Sequence, residues 1–233
     1  MRHTPGGWCS GHGGNGVGNA GRRLQARFGQ RKDTHSDASC VRIHRAISWL
    51  ERAEAAAHDQ DACFIFLWIA FNAAYAADVG SADSARDQLR IFFARLLALD
   101  ADRRLHTLLF ERFCGPIRTL IGNKFVFEPF WRALREHDAS ERWREQFKAS
   151  RKVALRAIVD GHTDTVLGVV FDRLYVLRNQ LVHGGATWNS KVNREQVRDG
   201  VNILLAVVPV VLELMLEHPE AGFGDILYPV LQH

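Results

Sequence analysis

Apolar residues recur along most of the chain at the spacing of one face of an α-helix. Residues 61–78 are apolar nearly all round, which predicts a buried central helix. We find no convincing strand alternation and no repeat of fixed period. The pattern therefore predicts an all-α fold, a bundle of roughly seven or eight helices. Besides 61–78, the predicted helices begin near residue 41 and continue with 84–99, 105–113, 130–137, 140–160, 163–182 and 195–217.

Glycine and proline mark the predicted ends of these helices. Gly161 suits the left-handed residue that follows a helix, and Gly184-Gly185 stops the next one. Asn193 or a neighbour is expected to cap the last long helix. The helix predicted at 105–113 ends near Gly115-Pro116, and residues 116–127 are expected to be irregular or to contain one short turn of helix. The end of the chain is also expected to be irregular, packed through Phe223, Ile226 and Leu227.

The first 39 residues differ in composition from the rest. They hold nine glycines and few aliphatic residues, so we predict a disordered tail before a helical domain at 40–233. The segment Gly16–Gly21 matches the GxGxxG pattern of dinucleotide-binding sites. That pattern needs a preceding strand and a following helix, and we attribute the match to chance in a glycine-rich tail.

The formal net charge of +4 belongs to this tail. Residues 1–39 carry six Lys or Arg and two Asp or Glu, which leaves 24 of each sign in the remainder. A high overall isoelectric point therefore says little about the domain. An argument for nucleic-acid binding must rest on local clusters of charge.

The apolar runs and the cysteines indicate where in the cell the protein is expected to be. No run reaches the about 18 apolar residues that a membrane helix needs, and the N-terminus lacks the apolar segment of a secretory signal. The four cysteines form no CxxC pair, and Cys63 lies in an apolar helix, as expected for a small buried side chain. We expect a reducing, cytoplasmic location and no membrane partner.

One helix end carries residues suited to chemistry: Arg178, Asn179 and His183, followed by Gly184-Gly185. At about 100° per residue, Asn179 and His183 share a face one turn apart, whereas Arg178 and His183 are about 140° apart. Either the helix loosens before Gly184, or two copies of the helix meet to form one site. A purely structural interpretation also exists, because Arg and His near a helix C-terminus complement its dipole.

These residues resemble the RNxxxH form of the motif of the HEPN family. Trp68–Tyr75, with Trp, Phe-Asn and Tyr in the order WxxFNxxY, resembles a segment of the subgroup called Apea-like. The resemblance covers about residues 40–217. It implies a helical bundle, a homodimer whose two motifs face each other across a cleft, and RNA cleavage, although some family members serve only as binding modules. The Tyr that follows the His in one toxin branch is absent, since Gly184, Gly185 and Ala186 stand there.

The three motif residues have the chemistry that RNA cleavage requires. Attack by the 2′-hydroxyl needs a proton acceptor and a proton donor, and His183 can take either role near neutral pH. Arg178 can hold the phosphate bidentately, and Asn179 can orient His183 or bond the phosphate. We expect no metal and no other cofactor, because the sequence lacks an acidic cluster and paired His ligands.

Two groups of cations could extend such a site along RNA. Lys191, Arg194 and Arg198 follow the motif directly, and Arg151 and Lys152 belong to a basic stretch at 142–156. Each group could track a phosphate backbone or could be a solvated surface. Trp188, in the loop after the motif, is expected to pin that loop rather than to stack on a base.

The sequence thus favours a metal-independent endoribonuclease that acts as a homodimer, in phage defence or in a toxin system with an antitoxin or another protein partner. The alternative is a non-catalytic helical module that binds RNA or a partner protein. A purely structural or regulatory homodimer is a third hypothesis. Loss of cleavage on removal of His183 would separate the first from the other two.

Overall fold

The computed structural model describes residues 19–76 and 85–229. Every regular element in these two ranges is a helix, which confirms the all-α prediction. Residues Leu108–Arg112 form a π-helical turn that continues α5, and Lys124–Val126 forms a short 3₁₀ turn. The α-helices are α1 (Ala20–Arg31), α2 (Asp37–Ala55), α3 (Gln60–Tyr75), α4 (Ala85–Leu99), α5 (Arg104–Thr107), α6 (Cys114–Gly122), α7 (Glu128–Arg135), α8 (Arg142–Asp160), α9 (Thr163–Val182) and α10 (Arg194–Glu217).

Helix α3 lies at the centre of the bundle, as its apolar sequence predicts. Helices α2 and α10 pack along it, and α1 packs across both of these. Helix α9 packs against α3 from another side and is itself covered by α4, α6 and α8. Phe71 of α3 and Phe171 of α9 meet at the junction, with ring centroids 4.4 Å apart and no solvent exposure. The central packing therefore fixes α9, the helix that carries the motif, against α3.

Helix α10 is long and apolar enough to cross a membrane, judged by length and composition alone. In the structure, 67% of its most apolar 18-residue window is buried inside the protein. Such burial is a common property of a core helix in a bundle, so the helix predicted at 195–217 belongs to the core.

The prediction of a disordered tail is wrong for residues 20–39, which contain α1, a 3₁₀ turn at Lys32–Thr34 and the start of α2. Leu24 and Phe28, four residues apart, are buried against the rest of the bundle. Most of the glycines precede α1, so the average over 39 residues hid its helical spacing. The helical domain therefore extends N-terminal to residue 40, and the prediction for 1–18 lies outside the described residues.

Polar contacts hold α1 at both of its ends. The Glu54 carboxylate of α2 accepts a hydrogen bond from the amide N–H of Ala20, at 2.9 Å, where the first turn of α1 has donors without helical partners. At the other end, Arg27 pairs with Glu217 at 2.9 Å, and Arg31 donates to the carbonyl oxygen of Leu216 at 2.9 Å. These contacts join α1 to the C-terminal end of α10.

The segment predicted to be irregular at 116–127 is the second correction. It contains most of α6 and the 3₁₀ turn, and Ile117, Leu120 and Ile121 bury one face of α6. The apolar positions at i, i+3 and i+4 were present in the sequence, but Gly115-Pro116 was interpreted as the end of a helix. Proline is well tolerated in the first turn of a helix, where its missing N–H has no partner to lose.

The segment after α10 has no helix but is anchored to the bundle. Phe223 is buried against Phe92 of α4, as predicted, whereas Leu227 is exposed. Arg42 of α2 is buried, and its guanidinium donates to four backbone carbonyls. Two of these, Ala74 and Ala76, belong to the end of α3, and the other two, Gly224 and Asp225, belong to the final segment.

Two helix-interior glycines are expected to respond oppositely to alanine. A Cβ atom at Gly200 of α10 would lie 2.8 Å from Phe64 and 3.0 Å from Leu174, both fully buried, whereas a Cβ at Gly168 of α9 would meet nothing within 4 Å. Gly168→Ala should raise the free energy of unfolding by roughly 0.5–1 kcal/mol through helix propensity. Gly200→Ala should lower it by about 1–2 kcal/mol through overpacking.

Urea denaturation of both variants gives the comparison. If Gly200→Ala proved as stabilising as Gly168→Ala, this result would contradict the close packing of α10 against α3 and α9 at Gly200.

Candidate functional site

The motif lies where α9 ends, and the backbone there is tightly specified. Gly184 has a φ of +68°, and the amide of Gly185 donates to the carbonyl oxygen of Gln180 at 2.7 Å. The amide of Gly184 points to the carbonyl of Leu181, so the last carbonyls of the helix have partners in the Schellman arrangement. A side chain at Gly185 would come within 3.1 Å of that Gln180 carbonyl. The two glycines therefore hold His183 at a fixed backbone position.

A cavity of about 690 Å³ opens beside this helix end. Side chains of α3, α4, α7 and α9 line it, together with Gly185. Asn179 and His183 belong to its wall, one turn apart on the same face of α9, as their spacing predicts. The lining of the cavity is strongly aromatic, and six rings contribute: Trp68, Phe71, Tyr75, Trp131, Phe171 and Tyr175.

Arg178 does not itself line the cavity, but its side chain contacts Asn179, which does. Its guanidinium donates to Asn179 Oδ1 at 3.0 Å, and no carboxylate pairs with it within residues 19–76 and 85–229. Helix α9 remains regular through Val182, so the loosening considered from the sequence does not occur. The long Arg178 side chain instead brings its charge to the amide of Asn179.

His183 is exposed, and its ring makes no hydrogen bond or ion pair with any part of the chain that the structure describes. An imidazole in this state can exchange protons with a bound molecule. Tyr75, on the facing end of α3, is different, because burial raises the pKa of its hydroxyl while the nearby charge of Arg178 acts to lower it. Tyr75 therefore stays protonated at neutral pH and can donate a hydrogen bond.

The charged residues of the cavity wall neutralise one another. Arg86 Nε lies 3.0 Å from Asp172 Oδ1, and Arg135 lies 2.7 Å from Glu128. Gln180 also has partners, since it donates to the carbonyl of Phe125, which accepts from Trp131 Nε1 at 2.8 Å as well. The described part of the wall is therefore nearly neutral, and Arg178, which bonds Asn179 of this wall, has no acidic partner among the described residues.

The loop after the motif is attached to the start of α3. Asp61 of α3 receives a bidentate pair from Arg194, at 2.9 and 3.0 Å, and accepts the amide of Asn189 at 2.7 Å. Trp188 donates its indole N–H to Asp59 at 3.0 Å, which agrees with the expected pinning role. Asn193 is the N-cap residue of α10, as expected, but its side chain donates to Gln180 and not to the first turn of that helix.

The structure brings none of the five cations proposed for an RNA path into the cavity wall. Arg194 is occupied by Asp61, and Arg198 lies 3.6 Å from Asp199. Lys191 is exposed on the loop. The other two belong to α8, which packs beside α9 near Arg173, about 15 Å along the helix from His183. These two are Arg151 and Lys152, exposed and without carboxylate partners among the described residues.

Within 19–76 and 85–229, no three His, Cys, Asp or Glu side chains are grouped so that they could hold a metal ion. Cys63 is fully buried, and burial raises the pKa of its thiol to about 11, so it behaves as an apolar core residue.

Sequence reasoning missed most of the cavity wall. Tyr175 precedes Asn179 and His183 at intervals of four, so one helical face could have been extended from the motif to this ring. Trp131 comes from α7, and nothing in the local sequence indicates that α7 packs near the end of α9. Its position follows from tertiary packing alone.

Comparisons with models of protein families, with curated proteins and with solved structures gave no match for this chain. The fold and the cavity at the end of α9 therefore carry the functional interpretation.

Proposed function

We propose that the chain is a HEPN-type helical protein that acts on RNA, and more specifically that it is an endoribonuclease whose reaction takes place at the mouth of the α9 cavity. The observation that supports this is that Asn179 and His183 lie in the wall of one cavity and that the Arg178 guanidinium donates to Asn179 Oδ1. Arg178 has a guanidinium without an acidic partner among the described side chains, and His183 has an unengaged imidazole.

The proposed reaction breaks the bond between phosphorus and the 5′-oxygen of the next nucleotide. The 2′-hydroxyl attacks the phosphorus, loses its proton to a base, and forms a 2′,3′-cyclic phosphate. The leaving 5′-oxygen takes a proton from an acid and becomes a 5′-hydroxyl. Arg178 stabilises the charge that develops on the phosphate oxygens, an effect that is usually the largest single contribution to such catalysis.

The two proton transfers give a physical reason for the proposed homodimer. Among the described residues that line the cavity of a single chain, only His183 supplies an imidazole. A second copy, placed with its own motif opposite the first, would supply the other histidine, so that one acts as the base and its counterpart as the acid.

The proposal predicts cleavage without a divalent cation. A pool of single-stranded RNA, incubated with the protein in excess EDTA, should yield fragments that end in 2′,3′-cyclic phosphate. Replacing the nucleotide at a mapped cleavage position by its 2′-deoxy form should abolish cutting there, because the nucleophile is gone. Mass spectrometry of the fragments provides the measurement.

Two other results would lead to different conclusions. A strict requirement for Mg²⁺ would remove the metal-independent mechanism. Absence of cleavage with any RNA, combined with retained RNA binding or a stable protein partner, would favour the non-catalytic helical module.

A further inference from the structure

The rest of the cavity wall differs chemically from the motif residues. Its charged residues are paired as Arg86 with Asp172 and Arg135 with Glu128, so it offers no excess charge to an anion. Its surface is dominated by aromatic rings, among them Tyr175, which is 45% exposed. A neutral, flat, partly polar group matches such a surface better than a phosphate does.

We propose that this cavity binds an unpaired nucleobase of the RNA strand, while the adjoining phosphate lies at the mouth against Arg178 and His183. The proposal rests on the endoribonuclease function and adds to it the recognition of a single-stranded nucleotide. It identifies Tyr175 as the main stacking residue, because this ring lines the cavity, is solvent-accessible, and lies one helical turn before Asn179.

The size and polarity of the cavity agree with this ligand. Its volume of about 690 Å³ falls within the range of about 300–1,000 Å³ found for ligand pockets, which are mostly apolar with a few convergent polar groups. Those groups are present here: the Tyr75 hydroxyl and Asn179 Nδ2 make no hydrogen bond to the described part of the chain. Both can bond the edge of a base.

The concave shape of the cavity explains why the bound base would be unpaired. A base inside a duplex is stacked and hydrogen-bonded, so it cannot enter a concave aromatic site, whereas an unpaired base can turn outward and stack on a side chain. Base stacking on aromatic residues tolerates any base, so we expect strong preference for single strands and weak preference among bases.

The test uses an RNA analogue that the proposed reaction cannot cut. A fluorescein-labelled single-stranded oligonucleotide with 2′-O-methyl groups throughout is compared with an abasic oligonucleotide of the same length, and fluorescence anisotropy gives both affinities. The wild-type protein should bind the base-bearing strand about tenfold or more tightly than the abasic strand. Tyr175→Ala should lose most of this ratio, and Tyr175→Phe should keep it.

Trp188→Ala is the matched control, since it removes an aromatic ring that is 75% exposed but lies outside the cavity. It should leave the ratio unchanged. A titration of the wild type with nucleoside monophosphates shows whether the bound base belongs to an RNA strand or to a free nucleotide. If a free nucleotide bound as tightly as the oligonucleotide, the ligand would be a nucleotide and the RNA-strand proposal would fail.

The outcomes separate this proposal from the nuclease. Equal affinity of the wild type for both strands overturns the base pocket, even if RNA is still cleaved and even if Tyr175→Ala fails to fold. Base-dependent binding that Tyr175→Ala removes supports the pocket, even if the wild type cuts no RNA and the nuclease is refuted. Circular dichroism of each variant shows whether it is folded, and only folded variants are compared with the wild type.

Discussion

His183→Ala is expected to lower the rate of RNA cleavage by a factor of about 10²–10⁴, the usual contribution of a positioned acid or base. The imidazole is exposed and bonds no other side chain that the structure describes, so its removal should leave the free energy of unfolding nearly unchanged. Single-turnover cleavage of a labelled RNA gives the rate, and thermal denaturation gives the stability.

His162→Ala is the matched control for this experiment. His162 is exposed at the opposite end of the same helix and is remote from the cavity, so its replacement should leave the rate unaltered. Sedimentation equilibrium should give twice the chain mass of 26.3 kDa for the wild type and for both variants. A His183→Ala protein with wild-type activity would refute the proposed role of this residue.

Asp61→Ala is expected to lower the stability of the protein more than any other substitution proposed above. Asp61 is only 8% exposed, and it holds both the Arg194 guanidinium and the backbone amide of Asn189. Its removal leaves a half-buried cation and a backbone donor without partners, which should cost about 2–3 kcal/mol. The melting temperature should fall by roughly 5–10 °C.

Two further variants serve as comparisons for Asp61→Ala. Asp61→Asn keeps an acceptor oxygen but loses the charge, so its stability should lie between those of the wild type and Asp61→Ala. Asp102→Ala removes an exposed carboxylate in a turn and should change stability by less than about 0.5 kcal/mol. If Asp61→Ala and Asp102→Ala had the same melting temperature, the attachment of the loop to α3 would not contribute to stability.

Sequence periodicity predicted the helices that have long, regular apolar faces. Helix α9 was predicted from Thr163 to Val182, as observed, because its apolar spacing and Gly184-Gly185 give the same boundary. Helix α1 was missed because its composition was averaged with that of the preceding glycine-rich residues. Helix α6 was missed because Gly115-Pro116 was taken to end a helix, although proline is also favourable where one begins.

The candidate site could be predicted only in part, for a geometric reason. Asn179 and His183 share a helical face, so their joint presence in one cavity wall follows from local spacing. The opposite walls come from α3, α4 and α7, and their approach to α9 depends on how the whole bundle packs. Arg194 shows the same limitation, because its partner Asp61 is 133 residues away and no local pattern indicates the pair.

The contacts of α1 have a consequence for the order of assembly. During synthesis Arg27 and Arg31 of α1 are made 190 and 185 residues before their partners Glu217 and Leu216. Helix α1 therefore cannot complete its docking until the end of α10 has been made. Contacts between such distant parts of a chain require closure of a long loop, which slows folding relative to a bundle in which every helix packs on its immediate successor.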